Sequence, residues 1–149
     1  MNIAVVVEDA AWRREPGWPA KIRRAVRAAL KKTGRTGSLT VLLSGDGRLK
    51  ELNRSFRGKN KPTNVLSFPA AETGEDYLGD IAISHATAAK EAAAEKKTLA
   101  DHVSHLAVHG VLHLAGFDHI RATDAAAMES AEVEILAGLG ISDPYQPSN

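Results

Sequence analysis

Three histidines in the second half of the chain, His109, His113 and His119, constrain its fold more than any other feature. His109 and His113 are four residues apart, so on a helix they share one face with their Cβ atoms about 5–6 Å apart, close enough to bind one metal ion. Gly116 is a residue at which such a helix can end, because glycine tolerates the left-handed C-terminal conformation. His119 then lies on the returning segment. The spacing predicts a three-histidine metal site whose fourth position is open to water.

The remaining histidines do not extend this site. His105 is four residues before His109, but it would lie about 12 Å from His113 along the helix axis, too far for all three to bind one ion. His85 and His102 have no comparable spacing, and we assign them, with His105, to the surface or to packing. Cysteine is absent, so any metal must bind through histidine or carboxylate.

The same histidine spacing occurs in the metzincin protease pattern H-E-x-x-H-x-x-G-x-x-H. Where those proteases carry the glutamate that acts as general base, this chain has Gly110. Peptide hydrolysis therefore lacks its usual proton acceptor. A metalloprotease, or another zinc hydrolase of small substrates, is an alternative that the open three-histidine site favours and Gly110 opposes.

Strand and helix patterns alternate along the chain. Short apolar runs predict strands, and apolar residues at helical spacing predict helices, with Phe56 anchoring the end of one helix in the core. The predicted strands cover residues 3–7, 39–43, 65–68 and 78–83, and the predicted helices 20–32, 49–56, 84–97, 99–114 and 123–137. Without a repeat or linker, the 149 residues are expected to form one domain over positions 1–149, ending in a frayed tail from Ser142.

Charge is divided unevenly along the chain. Residues 1–61 hold fifteen Lys and Arg against five acids, a balance of +10, whereas the remainder holds four against thirteen, a balance of −9. A basic half of this density can bind a polyanion such as RNA, but its helix over 20–32 is equally well explained by a solvated basic face. No apolar run approaches the roughly 18 residues of a membrane span, and a signal peptide is not evident. We expect a cytoplasmic protein without a membrane partner.

Two long motifs in succession resemble a known family. The first motif is Leu52-Asn53-Arg54-x-Phe56-Arg57-Gly58-Lys59-x-Lys61-Pro62-Thr63-Asn64-Val65-Leu66-Ser67-Phe68-Pro69. The second is His109-Gly110-x-Leu112-His113-Leu114-x-Gly116-x-Asp118-His119. The short segment Leu78-Gly79-Asp80-Ile81 lies between them. This stretch resembles the YbeY family of bacterial rRNA-maturation endoribonucleases. Phe117 stands where that family often has tyrosine, and it keeps the aromatic ring while losing the hydroxyl.

The resemblance implies a small, zincin-like α+β domain in which a mixed, mostly parallel four-stranded sheet packs against helices. It implies one Zn²⁺ per chain on His109, His113 and His119. It also implies cleavage of single-stranded RNA, in 16S rRNA 3′-end maturation and ribosome quality control. The expected partners are rRNA, the small ribosomal subunit and its associated proteins, with no role for DNA.

The residues support this chemistry independently. A three-histidine zinc lowers the pKa of its bound water toward about 7. Arg57 resembles the family's arginine and is assigned the catalytic role, since a guanidinium can hold two phosphate oxygens at once. The alternative is a solvated basic loop. Asp118 either orients a histidine or caps a turn. No residue stands out as a general base, and a non-enzymatic ribosome-associated protein that uses zinc for folding is a further alternative.

Overall fold

The strands form one four-stranded sheet in the order β1-β2-β4-β3. In the computed structural model, which describes residues 2–70, 76–117 and 122–146, they are β1 (Ile3–Val7), β2 (Ser38–Ser44), β3 (Val65–Pro69) and β4 (Tyr77–Ser84). β1 pairs with β2 and β2 with β4 in parallel, whereas β3 pairs with β4 antiparallel. The prediction of a mixed, mostly parallel four-stranded sheet is confirmed.

Five α-helices within the described ranges pack around the sheet, close to the predicted positions. They are α1 (Trp18–Thr33), α2 (Asp46–Arg57), α3 (His85–Ala94), α4 (Leu99–Leu114) and α5 (Ala122–Gly138). α2 begins three residues earlier than predicted, at Asp46, whose carboxylate accepts hydrogen bonds from the hydroxyls of Ser84 and Thr87. Across the described ranges, no helix combines the length and apolar character needed to cross a membrane.

The sequence did not predict the short 3-10 helix Ala10–Arg14 that lies between β1 and α1. It buries the Trp12 side chain, whose indole N–H donates to the Ser44 carbonyl at 2.8 Å. A five-residue 3-10 helix has too few turns to show a periodic apolar pattern, so the sequence gave no periodic signal for it.

The two faces of the sheet bury alternate strand residues. Val41, Leu43, Ile81 and Ile83 belong to the large core on the side of α1, α4 and α5. Leu42, Ala82 and Leu66 belong instead to a smaller cluster on the side of α2, which contributes Leu49. This alternation follows from the two-residue side-chain period of a strand. The histidine-bearing helix α4 and the Arg57-bearing helix α2 therefore lie on opposite faces.

The prediction that Phe56 anchors α2 in the core is wrong. Its side chain is 68% exposed, and its ring lies at the edge of the sheet, 4.9 Å between centroids from the Phe68 ring of β3. β3 is an edge strand, so the last turn of α2 extends beyond the sheet and has no further strand to cover it. Asn53 and Leu49, one turn and two turns earlier, are buried instead.

α4 approaches the sheet most closely at Gly110. A Cβ at this position would lie 2.8 Å from Cγ2 and 3.1 Å from Cδ1 of Ile81, a fully buried residue of β4. On the neighbouring strand, the Ser67 hydroxyl donates to the Gly110 carbonyl at 3.0 Å. Glycine is favoured here by space, since a larger residue would force the helix and the Ile81 side chain apart.

We expect Gly110→Ala to lower the free energy of unfolding by about 1–2 kcal/mol. Overpacking typically costs about 1–3 kcal/mol, which outweighs the gain of up to about 1 kcal/mol in helix propensity. Gly138→Ala in α5 is the matched control, because nothing lies within 4 Å of its added Cβ, and it should be neutral or stabilising. Urea unfolding of both variants measures the difference. Equal stability of Gly110→Ala and the wild type would show that helix and strand can separate at no cost.

Candidate metal centre

α4 ends as the sequence predicts. Gly116 has a φ of 101°, in the left-handed region that favours glycine, and its N–H donates to the His113 carbonyl at 3.1 Å. The Phe117 N–H donates to the Leu112 carbonyl at 3.0 Å, which completes a Schellman motif. The chain therefore turns away from the helix axis at Gly116, three residues after His113, as the predicted site requires.

His109 and His113 are brought together on one face of α4. Their Nε2 atoms are 3.0 Å apart, and the two rings meet edge to face with centroids at 4.6 Å. Two nitrogens bound to one tetrahedral zinc at about 2.0–2.1 Å would lie about 3.3 Å apart, so this pair fits a shared ion with little adjustment. Imidazole nitrogens are also ligands that zinc commonly takes.

The third predicted ligand, His119, and its neighbour Asp118 lie outside the described residues. Over the described ranges, no group of three or more His, Asp or Glu side chains is arranged to hold a metal ion. His119 as the third ligand, and Asp118 as an orienting or capping residue, remain predictions.

A buried carboxylate on α5 connects the histidines of α4. Glu132 is 1% exposed, and its Oε1 accepts a hydrogen bond from Nδ1 of His109 at 2.9 Å. Its Oε2 is bonded to Nε2 of His105 and accepts from the Tyr145 hydroxyl at 2.6 Å. Burial alone would raise the pKa of Glu132, but the hydrogen bonds from His105, His109 and Tyr145 lower it to about 2. Glu132 is therefore ionised at neutral pH.

Sequence reasoning missed Glu132, although a signal was present. On α5 it is flanked at helical spacing by the buried Met128, Ile135 and Leu136, so it interrupts an apolar stripe. An acidic residue in such a stripe must find partners when buried. The hydrogen bond between Glu132 and His105 also gives His105 a defined place, beyond the surface or packing role assigned from the sequence.

The segment after α5 is not frayed as predicted, at least up to residue 146. The Tyr145 hydroxyl bonds to Glu132, and the tyrosine ring packs edge-on against His105 with centroids 5.7 Å apart. The Lys97 ammonium donates to the Pro144 carbonyl at 3.1 Å. Burial of the hydroxyl and its bond to Glu132 both raise the pKa of Tyr145, so it stays protonated and can only donate to the carboxylate.

A second cluster of hydrogen-bonded polar side chains, centred on Glu91, lies beside the cluster around Glu132. It lines a cavity of about 340 Å³. Glu91 of α3 accepts from Nε2 of the buried His102 at 2.9 Å and from the Asn64 amide at 3.1 Å. The cavity is also lined by His105 and His109, so it opens next to the histidine pair. The packing role assigned to His102 agrees with this burial, but its bond to Glu91 was not foreseen.

Arg57 is not in contact with the histidine pair. It is the last residue of α2, and its exposed side chain makes no hydrogen bond or ion pair to another described side chain. The loop that follows is fixed to α2, because the Asn53 amide donates to the Lys61 carbonyl at 2.9 Å. β3 lies between α2 and α4. Its Phe68 side chain faces Phe56 of α2, whereas its Ser67 side chain faces α4. α2, which carries Arg57, therefore lies on the other side of β3 from the histidine-bearing helix α4.

The mixed sheet and the histidine-bearing helix packed on it define an α+β protein. In a comparison with solved structures, a Thermotoga maritima protein determined in solution matches with a TM-score of 0.58 and 24% sequence identity. The match covers 97% of this chain and 99% of that one. At this identity the likeness concerns the fold alone.

Sequence comparisons identify the family. Residues 8–140 match the family model described as Endoribonuclease YbeY. A relative of that name from Azorhizobium caulinodans is 48% identical over 97% of this chain and 96% of its own length. A relative of the same name from Nitrobacter winogradskyi is 49% identical over 96% of this chain and 80% of its own length. Another, from Cereibacter sphaeroides, is 42% identical over 96% of this chain and 98% of its own length. The chain belongs to the endoribonuclease YbeY family, which confirms the resemblance drawn from its motifs.

We expect the wild type to bind one equivalent of zinc, and each of His109→Ala, His113→Ala and His119→Ala to lose it. Three imidazoles complete a site that two cannot hold tightly. His85→Ala is the control, since that ring packs against Trp12 with centroids 4.9 Å apart and lies on a different helix. Elemental analysis of the dialysed proteins gives the zinc content. Retention of one equivalent by all three variants would remove these histidines from the metal site.

Proposed function

We propose that this chain, as one domain over residues 1–149, is a zinc-dependent endoribonuclease that cleaves single-stranded RNA. We further propose that it acts in the cytoplasm on the small ribosomal subunit, in 16S rRNA 3′-end maturation and ribosome quality control. The observation that carries the proposal is the His109–His113 pair, converging within 3.0 Å on one helix face in a chain of the endoribonuclease YbeY family.

Each residue of the centre has a chemical part in the proposal. His109, His113 and His119 would hold the zinc, which supplies Lewis acidity for phosphodiester hydrolysis at neutral pH. Arg57 would bind oxygens of the reacting phosphate and stabilise the negative charge that builds up there. That role requires the RNA strand to pass around the β3 edge, so that one phosphate lies between α2 and α4. The Arg57 side chain is exposed, so an RNA phosphate can reach it from solvent.

The metalloprotease alternative is disfavoured by the packing of α4. Position 110, which carries the catalytic glutamate in metzincins, faces the Ile81 side chain and has no room for a carboxylate. Glu132 does not replace that base, because both of its oxygens are engaged by other side chains. The non-enzymatic alternative differs in what metal removal does: structural zinc is needed for folding, whereas a catalytic site can lose its metal with the fold largely kept.

The test is cleavage of end-labelled single-stranded RNA by the purified protein, with the same sequence as a duplex and casein as parallel substrates. We expect cleavage of the single strand alone, its loss on metal chelation and its return when zinc is added back. Circular dichroism of the chelated protein should remain that of a folded chain. Unfolding on chelation would support the non-enzymatic alternative, and casein hydrolysis would support the protease.

We expect Arg57→Ala to slow RNA cleavage by about 10²–10³-fold while zinc content and fold stay unchanged, the usual cost of losing one preorganised charge-stabilising donor. Arg57→Lys should also be impaired, because it keeps the charge but loses the planar fork. Arg54→Ala is the matched control, an exposed arginine in the same last turn of α2.

The Arg57 variants are compared in single-turnover reactions with enzyme in excess, so that weaker RNA binding is not mistaken for lost chemistry. A folded, zinc-loaded Arg57→Ala protein that cleaves at the wild-type rate would exclude Arg57 from the centre. Equal losses in Arg57→Ala and Arg54→Ala would show a general charge effect instead.

A further inference from the structure

A histidine that binds a metal must present one particular ring nitrogen. Neutral imidazole carries its proton on either Nδ1 or Nε2, and only the unprotonated nitrogen has a lone pair for the metal. The hydrogen bond made by the other nitrogen selects between the two forms. For His109, Nε2 faces the His113 ring and Nδ1 faces Glu132.

Glu132 is suited to make that selection. A carboxylate is an acceptor only, so its bond to Nδ1 of His109 at 2.9 Å requires the proton to be on Nδ1. Glu132 is 1% exposed, so bulk water does not compete for the contact. The His109 lone pair is then on Nε2, 3.0 Å from Nε2 of His113.

Three side chains hold the Glu132 carboxylate: His109 on one oxygen, and His105 and Tyr145 on the other. Its second oxygen is bonded to Nε2 of His105, one helical turn before His109, and accepts from the Tyr145 hydroxyl at 2.6 Å. The Tyr145 ring covers His105, and the Lys97 bond to Pro144 fixes the segment that carries the tyrosine. Elements far apart in sequence thus fix the orientation of one side chain.

We propose that Glu132 is a positioning residue that holds His109 in its Nδ1–H form, with His105 and Tyr145 holding Glu132 in place. The part of this inference that concerns metal affinity rests on the proposed zinc centre. The part that concerns the His109 proton is a property of the metal-free protein and stands apart from it.

The first measurement is the tautomer of His109 in metal-free, ¹⁵N-histidine-labelled protein, read from two-bond ¹H–¹⁵N correlations at about pH 8, above the ordinary histidine pKa of about 6.5. We expect Nδ1 protonated and Nε2 unprotonated in the wild type. Protonation on Nε2 in the folded wild type overturns the inference without the need for any variant.

The second measurement compares zinc affinity by competition with a chromophoric chelator. Glu132→Gln should bind zinc about 10–100-fold more weakly, the usual effect of losing such an orienting partner, and its His109 tautomer should become mixed. Tyr145→Phe keeps the ring against His105 and should show a smaller loss. Glu134→Gln is the matched control, because this α5 glutamate is exposed and pairs with Lys32 at 2.8 Å.

The outcomes separate this inference from the proposed function. A folded Glu132→Gln protein with wild-type zinc affinity and wild-type His109 tautomer overturns the role of Glu132. If Glu132→Gln fails to fold, the His109 tautomer of the wild type and the zinc affinity of Tyr145→Phe test the role of Glu132 instead. A wild-type His109 protonated on Nε2 counts against that role, and so does a Tyr145→Phe protein with wild-type zinc affinity. A wild type that binds no zinc defeats the proposed function, while the tautomer still tests Glu132.

Discussion

The close contact between α4 and the sheet is the constraint on which the rest of the centre depends. Gly110 lets the helix axis approach Ile81, and the Ser67 hydroxyl fixes the helix to β3 at the same level. Once that face of α4 is set, the residues on either side of Gly110 in sequence must point elsewhere. His109, one residue before Gly110, consequently points to the side of the helix, where its ring meets Glu132 of α5 and the His113 ring one turn later.

The histidine pair depends next on an ionised group buried beside it. Burying a lone carboxylate is strongly unfavourable, and removing one partner of a buried, hydrogen-bonded charge typically costs about 3–5 kcal/mol. Glu132 offsets its burial with donors from His105, His109 and Tyr145. The same contacts tie α5 and the segment after it to α4. The contacts that position the histidines are therefore the same contacts that hold α4, α5 and the segment after α5 together.

Local patterns predicted what depends on local spacing. The strands, the bounds of α4, the adjacent histidine pair and the stop at Gly116 all follow from residues a few positions apart. The partnership of Glu132 with His109 spans 23 positions, and no local period encodes it. Tyr145 was missed for the same reason, since its anchor is tertiary. Phe56 failed differently: its spacing fits the buried stripe of α2, but the sheet ends before reaching it.

The strand order also has a consequence for how the chain assembles. β3 precedes β4 in the sequence, yet in the sheet β3 pairs with β4 and not with β2. β3 and β4 are consecutive antiparallel strands, so they can pair with each other as a local hairpin before β4 docks on β2. Parallel pairing of β2 with β4 closes a long loop, and such non-local contacts are slow to form. The edge that separates Arg57 from the histidines can thus form as a local unit, ahead of the slower pairing of β4 with β2 that joins it to the rest of the sheet.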